Sequence, residues 1–327
     1  MNEVVVKDPT IKRRVIKNKT EISVISAFAI LMIVFLFANP RVFLSYNAYT
    51  AVFTTLPVTI ILTVSAVFMV ASGEMDLSFP SIVGVSAWAF AVVTKGSGNP
   101  FLGLIISLIV GSSAGLLNGL LVTKIQLSSL VSTLGMNFLL RGLIMIGTQG
   151  LGIPLVFLKD SAFYRIFVGR VGSFPVQMIW GIVFALVVWF IFNRHRYGAH
   201  VCFIGDNLMS AREMGIKVDR VKILTFVLMG FASAFAAVLI CLVNLIFWPT
   251  AGDGYLLIIL AAVFLGGTPT WGGIGTIIGG IVGAFILGFL ETGIIASGLT
   301  GFYTQFFYGL ILILSLISHR FTGLARK

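Results

Sequence analysis

Residues 194–222 read RHRYGAHVCFIGDNLMSAREMGIKVDRVK, a polar island between two long apolar runs. Basic residues crowd both of its ends. Its middle predicts a short helix, which Asp206 or Asn207 can cap and Gly215 can end. A chain this apolar that spends residues on such a segment presents it to a soluble partner. The island therefore divides the sequence and points to what the rest of it serves.

The flanking composition fixes the class. The chain has 327 residues, 58% hydrophobic and 10% charged, with a mean hydropathy of +1.07. A soluble domain needs far more charge to cover its surface. Apolar runs of about 20 residues, each able to cross a ~30 Å hydrocarbon core, recur along the chain and predict an all-α polytopic membrane protein. The short alternating strands of a membrane barrel are missing from the pattern. The net charge of +11 is read as basic residues that orient the spans rather than as a nucleic-acid surface. Cys202 lies on the island and Cys241 within a span, so they lack both metal spacing and a disulfide geometry. Lys7, Lys12, Arg13, Arg14, Lys17 and Lys19 precede the first apolar run, but only Ala38-Asn39-Pro40 follows it, so a retained first span is expected rather than a cleaved leader.

About ten spans are expected, near 21–39, 49–71, 81–94, 101–123, 128–148, 176–193, 223–247, 255–266, 274–295 and 302–318. This count collects the amino-terminal arm, Lys124, the island and the tail residues Arg320, Arg326 and Lys327 on one side. Only Arg41, Lys95, Lys159, Arg165 and Arg170 fall on the other. The asymmetry predicts cytoplasmic termini and a cytoplasmic island. The domain reading is a basic arm over 1–20, one transmembrane domain over 21–320 that contains the island, and a tail over 321–327.

Two segments look short, 81–94 and 255–266. Ser72-Gly-Glu-Met-Asp-Leu-Ser-Phe-Pro80 precedes the first, and Pro249-Thr-Ala-Gly-Asp-Gly-Tyr255 the second. Each couples Gly and Pro to an acid, and each follows the second span of a five-span half. That is the pattern of an inverted repeat with broken helices, in which unwound backbone lines a cavity. The spacing Gly275, Gly279, Gly283 predicts close helix packing. No lysine and hydroxyl residue follows the glycines, so no phosphate loop is read there.

His195, His200 and His319 have no matching carboxylates, and neither metal cluster nor nucleophile constellation emerges, so no catalytic site is expected. The charges placed in the membrane are Glu74, Asp76, Arg141, Asp253 and Glu291. Each costs about 2.5–3.5 kcal/mol at the bilayer centre unless it faces protein or water. They either line a hydrophilic pathway or pair and cap broken helix ends, with Arg141 the natural partner of one of the acids. Glu291 reads as structural. Asn118, Asn137, Asn244, Thr133 and Gln126 either tie helices together or join the pathway, for which Asn137 and Asn244 are candidates. Trp248 and Trp271 read as interfacial anchors, with stacking on a sugar ring as the alternative.

The island's Gly205-Asp-Asn-Leu-Met-Ser-Ala-Arg-Glu-Met-Gly-Ile216 resembles the cytoplasmic coupling segment of ribose-type permeases of bacterial ATP-binding-cassette importers. Ser72–Ser78, Ser132–Gly142, Pro249–Tyr255 with Ala261–Thr268, and Gly272-Gly273 match the same family in order. The resemblance covers most of residues 50–295. It implies a type II importer permease fold in the bacterial inner membrane, with two permease subunits, identical or paralogous. Two ATPase subunits carry ATP and Mg, no cofactor binds this chain, and an extracytoplasmic solute-binding protein feeds the pathway. On that resemblance Gly205, Asn207, Ala211, Arg212, Glu213, Gly215 and Ile216 couple to the ATPase. The small residues would allow close approach, and Ile216 would supply an apolar plug. Glu74 and Phe79-Pro80 depart from the sugar permeases' Gly-Gly-Ile-Asp-Leu-Ser pattern. Simple sugars come first as solute, while furanosyl signals, nucleosides and riboflavin-like compounds stay open. An ion-coupled secondary carrier using the acids, or a scaffold that only recruits a soluble protein, are the competing readings.

Overall fold

The computed structural model describes residues 9–321, with side chains from 21 to 318. The expectations for the basic arm (1–20) and the tail (321–327) rest on side chains outside the described residues. The first half of the chain forms α1 (Pro9–Ala38), α2 (Pro40–Phe43), α3 (Tyr46–Ala71), α4 (Phe79–Ser97), α5 (Pro100–Thr123) and α6 (Ser129–Thr148). A connector with β1 (Ile153–Pro154), α7 (Ala162–Val168), β2 (Arg170–Val171) and β3 (Phe174–Pro175) leads to α8 (Val176–Arg194). The island holds α9 (Arg196–Asp206) and α10 (Leu208–Glu213). The second half continues with α11 (Val218–Asn244), β4 (Ile246–Phe247), α12 (Tyr255–Leu265), α13 (Ile277–Ala296) and α14 (Phe302–Phe321).

Among the described residues eight helices are long and apolar enough to cross a membrane, and α12 and the 302–318 part of α14 are shorter apolar helices. Together these ten coincide with the ten expected spans. Two boundaries differ. The expected short 81–94 is the full-length α4, because Phe79 and Pro80 occupy its first turn and Gly98 stops it only after Ser97, in the left-handed conformation (φ 69°). The expected 223–247 starts earlier, at Val218 inside the island, and stops at Asn244. The shortness of 255–266 is real: eleven residues of α12 reach only about 17 Å. The non-helical residues 245–254 make up the remaining depth.

The two halves repeat one packing scheme. In the first, α4 lies on α5 and α6; in the second, α12 lies on α13 and α14. The long helices are exchanged, with α11 packed on α4 and α5 and α3 packed on α12 and α13. With five apolar helices in each half, an odd number, equivalent helices cross in opposite directions if all ten span, which is the geometry of an inverted repeat. The exchange puts α3 and α11 at the centre. Residues 60–71 of α3 and 232–242 of α11 are buried without a break, as a helix apolar on all sides requires. The predicted close packing around Gly279 and Gly283 lies between α13 and α12. Added Cβ atoms there would come within 2.0 Å of the Gly266 carbonyl and 2.3 Å of the Ala262 carbonyl.

The connectors are small. β1 pairs antiparallel with β4 through Ile153↔Phe247 and Pro154↔Ile246, and β2 pairs with β3 through Arg170↔Pro175. The first pairing pins residues 153–154 to the start of the second broken segment. Neither the pairing nor α7 is foreshadowed by the apolar periodicity, since both lie in a stretch too short and mixed to carry a period.

Candidate functional site

The island is folded from its own sequence signals. Asn207, rather than Asp206, caps α10, accepting from the Met209 and Ser210 amides at 3.0 and 3.1 Å. Gly215 ends the helix at φ 76°. The Ile216 amide reaches back to the Ala211 carbonyl and the Gly215 amide to the Arg212 carbonyl, the paired closure of a Schellman motif. Tyr197 ties α9 to α11, its hydroxyl 2.7 Å from Thr225 Oγ1 and donating to the Val221 carbonyl. Burial pushes that hydroxyl well above the ordinary tyrosine range, so it acts as a neutral hydrogen-bonding group.

Within this chain, several of the expected coupling residues turn toward the membrane domain. Ala211 is fully buried, and Ile216 packs against the chain's own core. A Cβ on Gly205 would sit 2.0 Å from the Ala71 carbonyl oxygen and 2.5 Å from the Gly273 amide nitrogen. These residues face inward, because the Schellman closure folds Ile216 back over α10 and the glycine is needed for backbone contact. The outward face consists of Met209 and Met214, 66% and 56% exposed, with Arg212 and Glu213 beside them. The sequence reading missed both methionines. Their signal was two large apolar residues, one in the first turn of the six-residue helix and one just past its end.

Gly205 marks a junction of three segments. The Gly273 amide donates to the Ala71 carbonyl at 2.9 Å, so the α12–α13 loop is bonded to the end of α3. Gly205 of α9 lies against both, and Gly73 of the first broken segment approaches its Cα. The island thereby meets the membrane domain backbone to backbone, beside an open crevice of about 550 Å³ lined by Ser72, Asp206, Met209, Lys222 and Trp271.

The first broken segment holds Glu74 and Asp76 in different settings. Glu74 pairs with Lys222 of α11, the two side chains only 12% and 15% exposed. Lys222 is a third residue that the sequence reading does not single out, since it counts there only as one of the island's orienting charges. Asp76 is buried and turns back on its own segment, Oδ1 accepting from the Ser78 amide at 2.7 Å and the Ser78 hydroxyl at 2.6 Å. Asn118 Nδ2 donates to that hydroxyl at 2.7 Å. Thr133 Oγ1 accepts from the Leu77 amide, and Ser81 donates to Asn137. The polar residues of α5 and α6 thus satisfy unwound backbone and the turn into α4, leaving Asp76 Oδ2 and Asn118 Oδ1 without hydrogen-bond partners among the described residues.

The second broken segment is held by Arg141, the expected partner. Its Nη1 donates to the Pro249 carbonyl at 2.6 Å and the Ala251 carbonyl at 3.2 Å, while Nη2 pairs with Asp253. Asp253 also borders a cavity of about 420 Å³ with Thr55, Thr59, Tyr255 and Glu291. Glu291 accepts from Tyr308 at 3.1 Å across α13 and α14. Asn244 is exposed and bonds within α11, so it stands apart from the other pathway candidates. Trp248 packs on the core, and Gln126 lies exposed in the turn after α5.

The Asp76 setting yields a direct test. Asp76→Asn keeps the Oδ1 acceptor and should retain uptake within about threefold of wild type. Asp76→Ala removes both bonds at a cost of ~1–3 kcal/mol and should lower the yield of monodisperse detergent-extracted protein. Uptake lost in both variants at normal yield would instead place the carboxylate charge in the pathway.

A repeated bundle with exchanged central helices and two broken segments is the architecture of a polytopic membrane permease. The family described as branched-chain amino acid transport system / permease component matches residues 48–316, and the chain belongs to it. It is 30% identical to the ribose import permease protein of Escherichia coli (strain K12) over 281 residues, 85% of this chain and 87% of that one. It is 31% identical to the ribose import permease protein of Bacillus subtilis (strain 168) over 256 residues, covering 77% and 78%. It is 28% identical to the autoinducer 2 import system permease protein of Yersinia pseudotuberculosis serotype O:3 (strain YPIII) over 298 residues, covering 89% and 81%. The ribose-type resemblance read from the island and the broken segments is thus borne out.

Proposed function

We propose that this chain is the pathway-forming half of an ATP-driven importer for a small polyhydroxylated solute, a simple sugar before other candidates. Two permease subunits form the pathway, and a solute-binding protein delivers to it from outside. A separate ATPase that holds ATP and Mg docks on the cytoplasmic island. The observation that carries this reading is the island itself: a capped helix with an exposed methionine face, seated backbone to backbone on the end of a central span. Exposed apolar side chains rimmed by charge suit a protein partner, and methionines adapt to a groove. The names of the relatives, ribose and autoinducer 2 import, support a furanose-sized polar solute.

Met214→Asp is the informative substitution, because the side chain is more than half exposed on the outward face of the island. ATP-driven uptake in proteoliposomes should fall at least tenfold, and co-purification of the ATPase should fall with it, at unchanged permease insertion. Uptake driven by a proton gradient without any ATPase would overturn the reading in favour of a secondary carrier.

A further inference from the structure

Two ion pairs in the membrane domain share one arrangement. Glu74 belongs to the first half and pairs with Lys222 of the second; Arg141 belongs to the first half and pairs with Asp253 of the second. Each pair therefore crosses between the halves of the repeat. Each acid sits on non-helical backbone next to positive-φ glycines, Gly73 in one case and Gly252 and Gly254 in the other.

The pairs occupy opposite ends of α11. Lys222 lies in its second turn, and the segment that carries Asp253 begins beyond Asn244. The 22-residue rise between Lys222 and Asn244 corresponds to about 33 Å, the thickness of a hydrocarbon core. Each pair also borders a cavity at its own end. Lys222 lines the crevice beneath the island, and Asp253 lines the cavity between α3, α12, α13 and α14. Three of the four side chains are at most 17% exposed and Asp253 is 56% exposed, so the island-side pair is the better shielded from salt and the costlier to leave half-made.

We propose that the two pairs are reciprocal latches on the pathway. Glu74–Lys222 holds the island end closed, Asp253–Arg141 holds the opposite end closed, and the transport cycle releases one while the other stays made. The structure has both pairs made, which is the occluded arrangement of such a device. The island reaches the first latch directly, since α11 begins inside the island four residues before Lys222 and Gly205 lies against the backbone next to Glu74. The proposal rests on the transporter reading above, in which the island is the driven element.

The test uses the full-length permease in oriented membrane vesicles, with Cys202 and Cys241 replaced by Ser. One reporter is Ser72→Cys, in the island crevice; the other is Thr59→Cys, in the opposite cavity. Each is labelled with a membrane-impermeant maleimide applied from its own side. Glu74→Gln should raise labelling at position 72 at least fivefold and lower it at 59. Asp253→Asn, which leaves both Arg141–carbonyl bonds in place, should do the reverse. Exchanging the charges, Glu74→Lys with Lys222→Glu, should return position 72 to the wild-type rate. The latches are overturned if both neutral variants move the two reporters in the same direction, if neither moves them, or if the exchange does not restore closure. A merely structural pair would lower the folded yield without opposed labelling. Labelling is measured without ATP. A wild type whose uptake needs no ATP hydrolysis would therefore sink the importer reading while leaving the labelling result to stand or fall alone.

Discussion

Gly205→Ala is expected to cut ATP-driven uptake tenfold or more while the permease still inserts. The added methyl would sit 2.0 Å from the Ala71 carbonyl oxygen and 2.5 Å from the Gly273 nitrogen, and these two atoms are bonded to each other. Neither neighbour is a flexible side-chain end, so the methyl wedges the island away from α3 and the α12–α13 loop. The spans keep their own packing, because the contact lies at the end of α3. The expected signature is uncoupling: ATPase activity of the assembled complex persists while uptake is lost. Gly215→Ala is the control. It strains a left-handed residue (φ 76°) by about 1 kcal/mol, but nothing lies within 4 Å of the added carbon. Its uptake should stay within about threefold of wild type. Equal losses in the two variants would show that backbone strain in the island, not the junction, governs coupling.

That contrast separates what the sequence could reveal from what it could not. Span positions were legible because burying backbone in hydrocarbon demands long apolar helices, and the central α3 and α11 satisfy that demand at every turn. The island's helix was legible from Asn207 and Gly215, since caps are local chemistry. Its facing was not. Whether Ala211 looks outward depends on how α10 sits against α9 and α11, and that is settled by tertiary contact rather than by propensity. The same limit applies to the charges. Arg141 stood out as a lone cation inside a span and had to find an acid. Lys222 sits where the island runs into α11, so it read as one more orienting charge, although its partner Glu74 is 148 residues away in sequence. The extent of α4 was misjudged for a different reason: Phe79-Pro80 looked like part of the broken segment, whereas proline at the second helical position starts a helix as readily as it ends one.

Arg141→Met is expected to have the largest effect of any substitution that leaves the backbone unstrained. Methionine matches the arginine stem in length and apolar character, so the change removes the guanidinium and little packing. Three acceptors then lose their donor: the carbonyls of Pro249 and Ala251 and the carboxylate of Asp253. Asp253 is more than half exposed and can find water, so its share is discounted. Ala251 is fully buried, and an orphaned buried carbonyl costs ~1–3 kcal/mol. Losses of that size at two carbonyls approach the margin by which most folded proteins are stable. The thermal midpoint of the detergent-solubilised permease should drop by several degrees, and residues 249–254 should become sensitive to protease while uptake disappears. Arg141→Lys is the discriminating partner. A lysine keeps the charge but not the planar fork, so it can hold Asp253 or a carbonyl and not all three. If Arg141 matters only as a countercharge, Arg141→Lys will behave as wild type; if it staples the segment, Arg141→Lys will fall between wild type and Arg141→Met in both stability and uptake. Asp253→Asn completes the set, because it silences the charge and spares the staple. A midpoint unchanged by Asp253→Asn but lowered by Arg141→Met would assign the stability to the two carbonyl bonds and leave the carboxylate free to work as a latch.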